Sequence, residues 1–174
     1  MEKLIPMLIE NMVVQAEAGV DCMAILDTSA GKLALDDYKK LYLPYLRQLI
    51  NGFKARMPDT KLVYYSKGTN ADYWRTLEGL PIDGLGVDFT NNLAQTLRDF
   101  GTRYAIQGNI DPEWMRLPWA QLKPKLEAVF AEVKALPAAL RKGWICGLGH
   151  GILPDVPEEN VKHFIKLVRE IFRE

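Results

Sequence analysis

The feature that most constrains this chain is an alternation repeated along its length: an amphipathic stretch, a short apolar run, then a Gly- or polar-rich turn. The apolar runs fall at residues 22–26, 62–65, 85–87, 104–106 and 144–146. Between them, helical periodicity marks 3–18, about 36–51, about 71–78, about 92–100, about 123–136 and a last stretch from 157. Leu4, Ile5, Leu8, Met12, Val13 and Ala16 share the first stripe, which Gly19 stops. Asp36 or Asp37 is placed to cap the second helix, and Pro44 to kink it. Asp111-Pro112 reads as an N-cap followed by proline at the first helical position. Strands separated by helices pair in parallel through crossovers, with both sheet faces covered. The expectation is an α/β fold of about five buried parallel strands with helices, in one unit over residues 1–174.

Composition narrows the function. The chain has 174 residues, 48% of them hydrophobic, with 22 Lys+Arg against 22 Asp+Glu. A chain this long buries roughly 70% of its unfolded surface, so one core suffices without disulfide staples. The zero net charge, with no basic block, argues against a partner that is nucleic acid or an anionic membrane. No apolar run reaches the ~18 residues of a membrane span, and residues 1–6 lack a signal-peptide layout. Cys22 and Cys146 lack metal-ligand spacing and read as reduced thiols of a cytoplasmic protein.

Small and polar residues follow each apolar run: Thr28 and Ser29, Ser66 and Lys67, Asp88 and Thr90, Gln107 and Asn109, and finally His150. In parallel α/β proteins the C-terminal ends of the strands carry the binding groups. Such residues also cap helices and satisfy backbone groups, and Ser29 and Ser66 read as turn formers. His150 lies between Gly149 and Gly151, off any apolar stripe, where the backbone can approach a ligand. His163 reads as a surface or edge histidine. Lys67 is placed either to meet an anion or to snorkel. Gly147-Leu148-Gly149-His150-Gly151 lacks the helix opening and ribose-binding acid of a dinucleotide site. Asp27-Thr28-Ser29-Ala30-Gly31 is not a nucleophile elbow, and two His and two Cys do not cluster as a zinc site.

Five segments in series carry a resemblance: Leu26-Asp27-Thr28-Ser29-Ala30-Gly31, Tyr65-Ser66-Lys67-Gly68, Gly86-Val87-Asp88-Phe89-Thr90, Gln107-Gly108-Asn109-Ile110-Asp111-Pro112 and Leu148-Gly149-His150-Gly151, the last followed by Asp155-Val156-Pro157. Together they resemble the C-terminal half of the uroporphyrinogen decarboxylases, over essentially the whole chain. The resemblance implies the C-terminal portion of a (β/α)8 TIM-type barrel from a usually homodimeric family. It implies removal of CO2 from the four acetate arms of uroporphyrinogen III to give coproporphyrinogen III in haem biosynthesis, with no metal or organic cofactor. By position, His150 matches the family's substrate-contacting histidine and Thr28 its substrate-binding serine. Lys67 and Asp88 match rim positions, completing the expected substrate-binding set; no catalytic residue is assigned.

The family's N-terminal segment, with its arginine-rich loop, pyrrole-binding aspartate and cleft tyrosine, has no counterpart here. The substrate's eight carboxylates call for a cationic cleft, whereas this chain is neutral. A barrel closes with about eight strands, and five leave two edges bare. The expectation is therefore a half that is inactive alone and pairs with itself or with an N-terminal half, or is a truncated product, with inner-face residues such as Ile25, Tyr64 and Ile106 turned to a partner or water. One alternative is a non-catalytic half-barrel that binds tetrapyrroles or a full-length enzyme. Another is a corrinoid-dependent methyltransferase relative, disfavoured because Tyr64-Tyr65-Ser66 stands where its His-x-Cys zinc pair belongs.

Overall fold

The computed structural model describes residues 3–173. Met1 and Glu2, which open the stretch read for a targeting signal, lie outside the described residues, as does Glu174. Five strands form one sheet: β1 (Cys22–Asp27), β2 (Lys61–Ser66), β3 (Gly84–Gly86), β4 (Ala105–Ile110) and β5 (Trp144–Leu148). Their order in space is β1-β2-β3-β4-β5. β1 runs parallel to β2 with Met23 opposite Leu62, and β4 parallel to β5 with Gln107 opposite Ile145. Spatial order that follows chain order is that of a (β/α) barrel wall. A doubly wound sheet reverses at a switch point, and none occurs here. The chain packs as two compact units, Met1–Leu85 and Gly86–Glu174.

In the first unit α1 (Leu4–Glu17) leads to β1 through Gly19, whose φ of +96° suits a residue without Cβ. Ile5, Met12, Val13 and Ala16 of α1 are buried, whereas Leu4 and Leu8, expected on the same stripe, are exposed. The next helix is not simply kinked. A short α2 (Leu35–Asp37) passes into a π-helical turn, Tyr38–Tyr42, and then α3 (Leu43–Arg56). Pro44 lies in the first turn of α3; it cannot donate to the carbonyl four residues back, and the backbone widens just before it. Neither Asp36 nor Asp37 caps this helix with its side chain. Leu46, Leu49, Ile50 and Phe53 form the buried stripe of α3, each stabilising the fold by about 1.5–3 kcal/mol. α4 (Ala71–Arg75) is shorter than its pattern suggested and is capped by Asn70, whose Oδ1 accepts from Asp72 N–H.

In the second unit α5 (Leu93–Phe100) starts at Asn92, whose Oδ1 accepts from Gln95 N–H. β4 runs three residues beyond Gln107, through the Gly108-Asn109 segment expected to form a turn. Asp111 caps the following turn as expected, accepting from Glu113 N–H, but Pro112–Arg116 is a 3-10 helix. α6 (Trp119–Lys134) begins earlier than its apolar stripe, after Pro118. A short α7 (Ala138–Arg141) precedes β5, and α8 (Glu158–Ile171) closes the chain. Leu122, Leu126 and Phe130 of α6 meet Phe164 and Leu167 of α8 over Ile110 and Met115.

The sheet's covered face differs from the expectation by one residue. Tyr64 and Ile106 are buried, 1% and 0% exposed, because they lie under the helices. Leu26 on β1 and Ile145 on β5 carry the exposure instead, at 70% and 48%. Side chains alternate along a strand, so a one-residue phase exchanges the faces. The two edge strands, read as buried on both sides, are thus half bare. Each edge has an apolar groove beside it. In the first unit it measures about 460 Å³ and is lined by Leu8, Met12, Leu26 and Leu46 among others. In the second unit it measures about 180 Å³, between Val133, Trp144, Cys146 and Phe172. Among the described residues no helix is long and apolar enough to cross a membrane.

Candidate functional site

The turns after β1 and β2 are built as a pair. Asp27 Oδ1 accepts from the N–H groups of Ser29 and Ala30, at 2.9 Å each, and so folds the Thr28-Ser29 turn back on itself. Lys67 N–H donates to Asp27 O at 2.9 Å and Lys67 O accepts from Gly31 N–H at 3.0 Å. Thr28 and Lys67, two of the residues singled out from sequence, therefore stand on turns joined by main-chain bonds. Both side chains are exposed. Below Lys67 the hydroxyls of Ser66 and Thr69 meet at 2.6 Å, and Trp74 Nε1 donates to Thr69 Oγ1 at 3.0 Å. Ser66 is thus a buried anchor of the Lys67 turn as well as a turn former.

Three phenols gather around Asp27, a feature the sequence reading did not single out. Tyr64 Oη donates to Asp27 Oδ2 at 3.3 Å and meets Tyr38 Oη at 3.5 Å. The Tyr38 and Tyr42 rings lie 5.3 Å apart across the π-helical turn. Burial first, and then the neighbouring Asp27 carboxylate, push the Tyr42 hydroxyl up, so it stays protonated. Burial does the same to Tyr64. The signal available in the sequence was the Tyr38/Tyr42 spacing before Pro44.

In the second unit the turn after β3 organises around Asp88, which is 1% exposed. Its Oδ1 accepts from Thr90 N–H at 3.0 Å, from Thr90 Oγ1–H at 2.5 Å and from Asn91 Nδ2 at 3.1 Å. Asn109, at the end of β4, donates from Nδ2 to Asp88 O and Asn91 O at 2.9 and 2.6 Å. Asp88 thus holds its own turn, and Asn109 ties that turn to β4.

The turn after β5 comes against the same place. A Cβ on Gly149 would stand 2.5 Å from Phe89 N, so the two turns approach main chain to main chain. The Phe89 ring meets His150 edge to face, centroids 5.8 Å apart. His150 Nδ1 lies 2.8 Å from Gly151 O. A carbonyl only accepts, so Nδ1 carries the hydrogen and Nε2 is left for another partner. The structure thus gathers Asp88, Asn109 and His150, with Phe89 as the contact that sequence reasoning missed. His163, read as a surface or edge residue, is half-buried against Trp119 at 4.7 Å, its Nδ1 enclosed without a hydrogen-bond partner. Burial pushes the Cys146 thiol up to about 12, so it is not a nucleophile. Among the described residues no three His, Cys, Asp or Glu side chains cluster as metal ligands.

The family model described as uroporphyrinogen decarboxylase (URO-D) matches residues 1–171. The chain is 34% identical to a uroporphyrinogen decarboxylase of Geobacter metallireducens over 98% of its own length and 48% of that protein. It is 31% identical to the chloroplastic uroporphyrinogen decarboxylase 1 of Oryza sativa subsp. japonica, covering 93% of this chain and 39% of that one. The chain spans about half the length, or less, of these curated relatives. Among solved structures a methyltransferase from Methanosarcina mazei superposes with a TM-score of 0.73 at 22% identity, over 97% of this chain and 47% of that one, a likeness of fold.

Proposed function

The chain belongs to the uroporphyrinogen decarboxylase family, and on that premise we propose that residues 1–174 form one partial-barrel domain contributing the C-terminal wall of a site that removes CO2 from the four acetate arms of uroporphyrinogen III. The observation that carries this reading is positional. Thr28, Lys67, Asp88 and His150 each stand just beyond the C-terminal end of β1, β2, β3 and β5, in a chain matched by the family over residues 1–171.

In this reading each acetate loses CO2 and takes up one proton, giving a methyl group and, after four turns, coproporphyrinogen III. The pyrrole must be protonated first to accept the electrons of the breaking bond. His150, with Nδ1–H held by Gly151 O, offers Nε2 to the substrate: protonated it donates to a carboxylate, neutral it accepts. Thr28 Oγ1 and Lys67 Nζ bind further carboxylates, and Asp88 shapes the turn after β3. No residue identified here balances eight carboxylates, since Lys67 is the only cation of the four. We therefore read the chain alone as inactive. Its partner is a second copy or the N-terminal half of the same enzyme, seated along the bare edges of β1 and β5. Free Cys22 and Cys146 suit a cytoplasmic setting.

The neutral charge also favours a second reading, a half-barrel that binds tetrapyrroles or a full-length enzyme without turnover. Titration with uroporphyrin I or III, followed by the shift of its Soret band, tests ligand recognition in both. The expected result is saturable binding weakened by about tenfold or more in His150→Ala, the loss of one charge-assisted bond. Equal binding by the variant would overturn the His150 assignment. Coproporphyrinogen formation in the complemented enzyme separates the two readings.

A further inference from the structure

The segment that bears His150, residues 149–157, is strapped to the end of β4 and to the segment that follows it. At one end Gly149 N–H donates to Ile110 O at 2.7 Å. Beyond the other end Asn160, 5% exposed, donates from Nδ2 to Met115 O and Leu117 O at 2.8 and 2.9 Å. Between these anchors Gly151 has nothing near its Cβ position and Ile152 is half exposed. An ion pair crosses this interval. Arg116 donates from Nε at 2.9 Å and from Nη2 at 2.8 Å to Asp155 Oδ1, and its Nη1 pairs with Glu113. Asp155 holds its guanidinium partner in place from one side and Glu113 from the other.

We infer that Arg116 is a positioning residue for His150: by holding Asp155 it fixes the path of residues 150–156, and so keeps the Gly151 carbonyl where it bonds His150 Nδ1–H and leaves Nε2 for the ligand. The linkage is short. The imidazole's hydrogen bond goes to Gly151 O, and the direction of that carbonyl depends on the chain beyond it. That chain is an open glycine, an exposed isoleucine, the half-buried Leu153 and the exposed Pro154 until Asp155 is reached, with Val156 packed on the core just beyond it. The Arg116 charge is set for the task from two sides, and the Asp155 carboxylate is held below its usual range by the bond from Arg116. Glu113 and Asp155 are the charged groups that face Arg116. The inference rests on the reading of His150 as the substrate-facing histidine, but its geometry is independent of any substrate.

The test uses the whole chain labelled with 15N-histidine. It contains two histidines, His150 and His163, so each ring is resolved and His163 serves as internal reference. In the wild-type chain His150 is expected as the Nδ1–H tautomer. Asp155→Asn and Arg116→Ala are each expected to lower the ratio of Nδ1–H to Nε2–H by about threefold to tenfold, the loss of one net hydrogen bond, with the His163 signals unmoved. Asp155→Glu, which keeps the charge, is expected to restore the wild-type ratio. An unchanged His150 tautomer in Asp155→Asn overturns the inference, as does a shift that Asp155→Glu fails to rescue. Uroporphyrin titration of the same samples separates the two readings. A latch without tetrapyrrole binding contradicts the function, and binding with an unmoved tautomer contradicts the latch.

Discussion

Gly31 and Gly68 pack backbone against backbone: a methyl group on Gly31 would lie 2.6 Å from Gly68 Cα and overlap the Gly68 carbonyl. That approach lets the turns after β1 and β2 share the Lys67–Gly31 hydrogen bond, and it brings Thr28 and Lys67 onto one joined segment. Gly31→Ala is expected to cost about 1–3 kcal/mol, the usual penalty of overpacking, because the obstacle is main chain and cannot rotate away. Gly147→Ala meets nothing within 4 Å and is expected to stay within about 0.5 kcal/mol of wild type. Urea denaturation of the two variants checks the contrast.

One donor in the second unit that ties two turns together is Asn109 Nδ2. It serves two main-chain carbonyls, those of Asp88 and Asn91, and the residue is 6% exposed. Asn109→Asp replaces that donor with a carboxylate oxygen facing both carbonyls. It is expected to destabilise more than Asn109→Ala, whose cost is about 1–3 kcal/mol for each acceptor left unsatisfied. Thermal unfolding of both variants gives the order, and an Asp variant as stable as the Ala variant would contradict it.

Acid should act on the first unit through Asp83. Partial burial pushes its carboxyl up, but bonds from Lys61 Nζ, Leu62 N–H and Lys54 Nζ, each 3.0 Å, outweigh burial and hold it below the usual range. A carboxylate depressed in the folded state adds stability above its unfolded value and loses it as pH falls through the folded one. Asp83→Asn is therefore expected to be less stable than wild type at neutral pH, with the gap closing on acidification below the ordinary carboxylate range. Stability measured from pH 7 to pH 3 reads this directly, and a gap independent of pH would contradict it.

How much of this was legible in the sequence divides by physical cause. Composition and period placed every strand, because each apolar run between Gly-rich turns had one reading. The ends were less legible. β4 continues through Gln107-Gly108-Asn109 because its partner strand extends alongside, Asn109 opposite Gly147, and pairing overrides local turn preference. The phase of Tyr64 and Ile106 was not legible, since a run that is apolar on both faces does not say which face the helices cover. Thr28 and His150 were visible as polar residues at strand ends. The pairing of Arg116 with Asp155 was not, because an ion pair between residues 39 apart in sequence has no local pattern.

The association proposed for the bare edge of β1 has its own test. Leu26, 70% exposed, lies on that edge beside the apolar groove, and such edges invite pairing. Leu26→Lys is expected to leave the fold intact, within about 0.5 kcal/mol, and to shift the solution mass toward the 19.8 kDa monomer. Sedimentation of both chains checks it. A wild-type chain that already runs as a monomer would remove self-pairing and leave the other half as the partner.

The most direct test of the central claim is coproporphyrinogen formation from uroporphyrinogen III under anaerobic conditions, with the chain alone and with a separately produced N-terminal half of a relative such as the Geobacter metallireducens enzyme. The account predicts product in the mixture only, falling sharply with His150→Ala. A mixture that assembles yet releases no CO2, or product from the isolated chain, would contradict it.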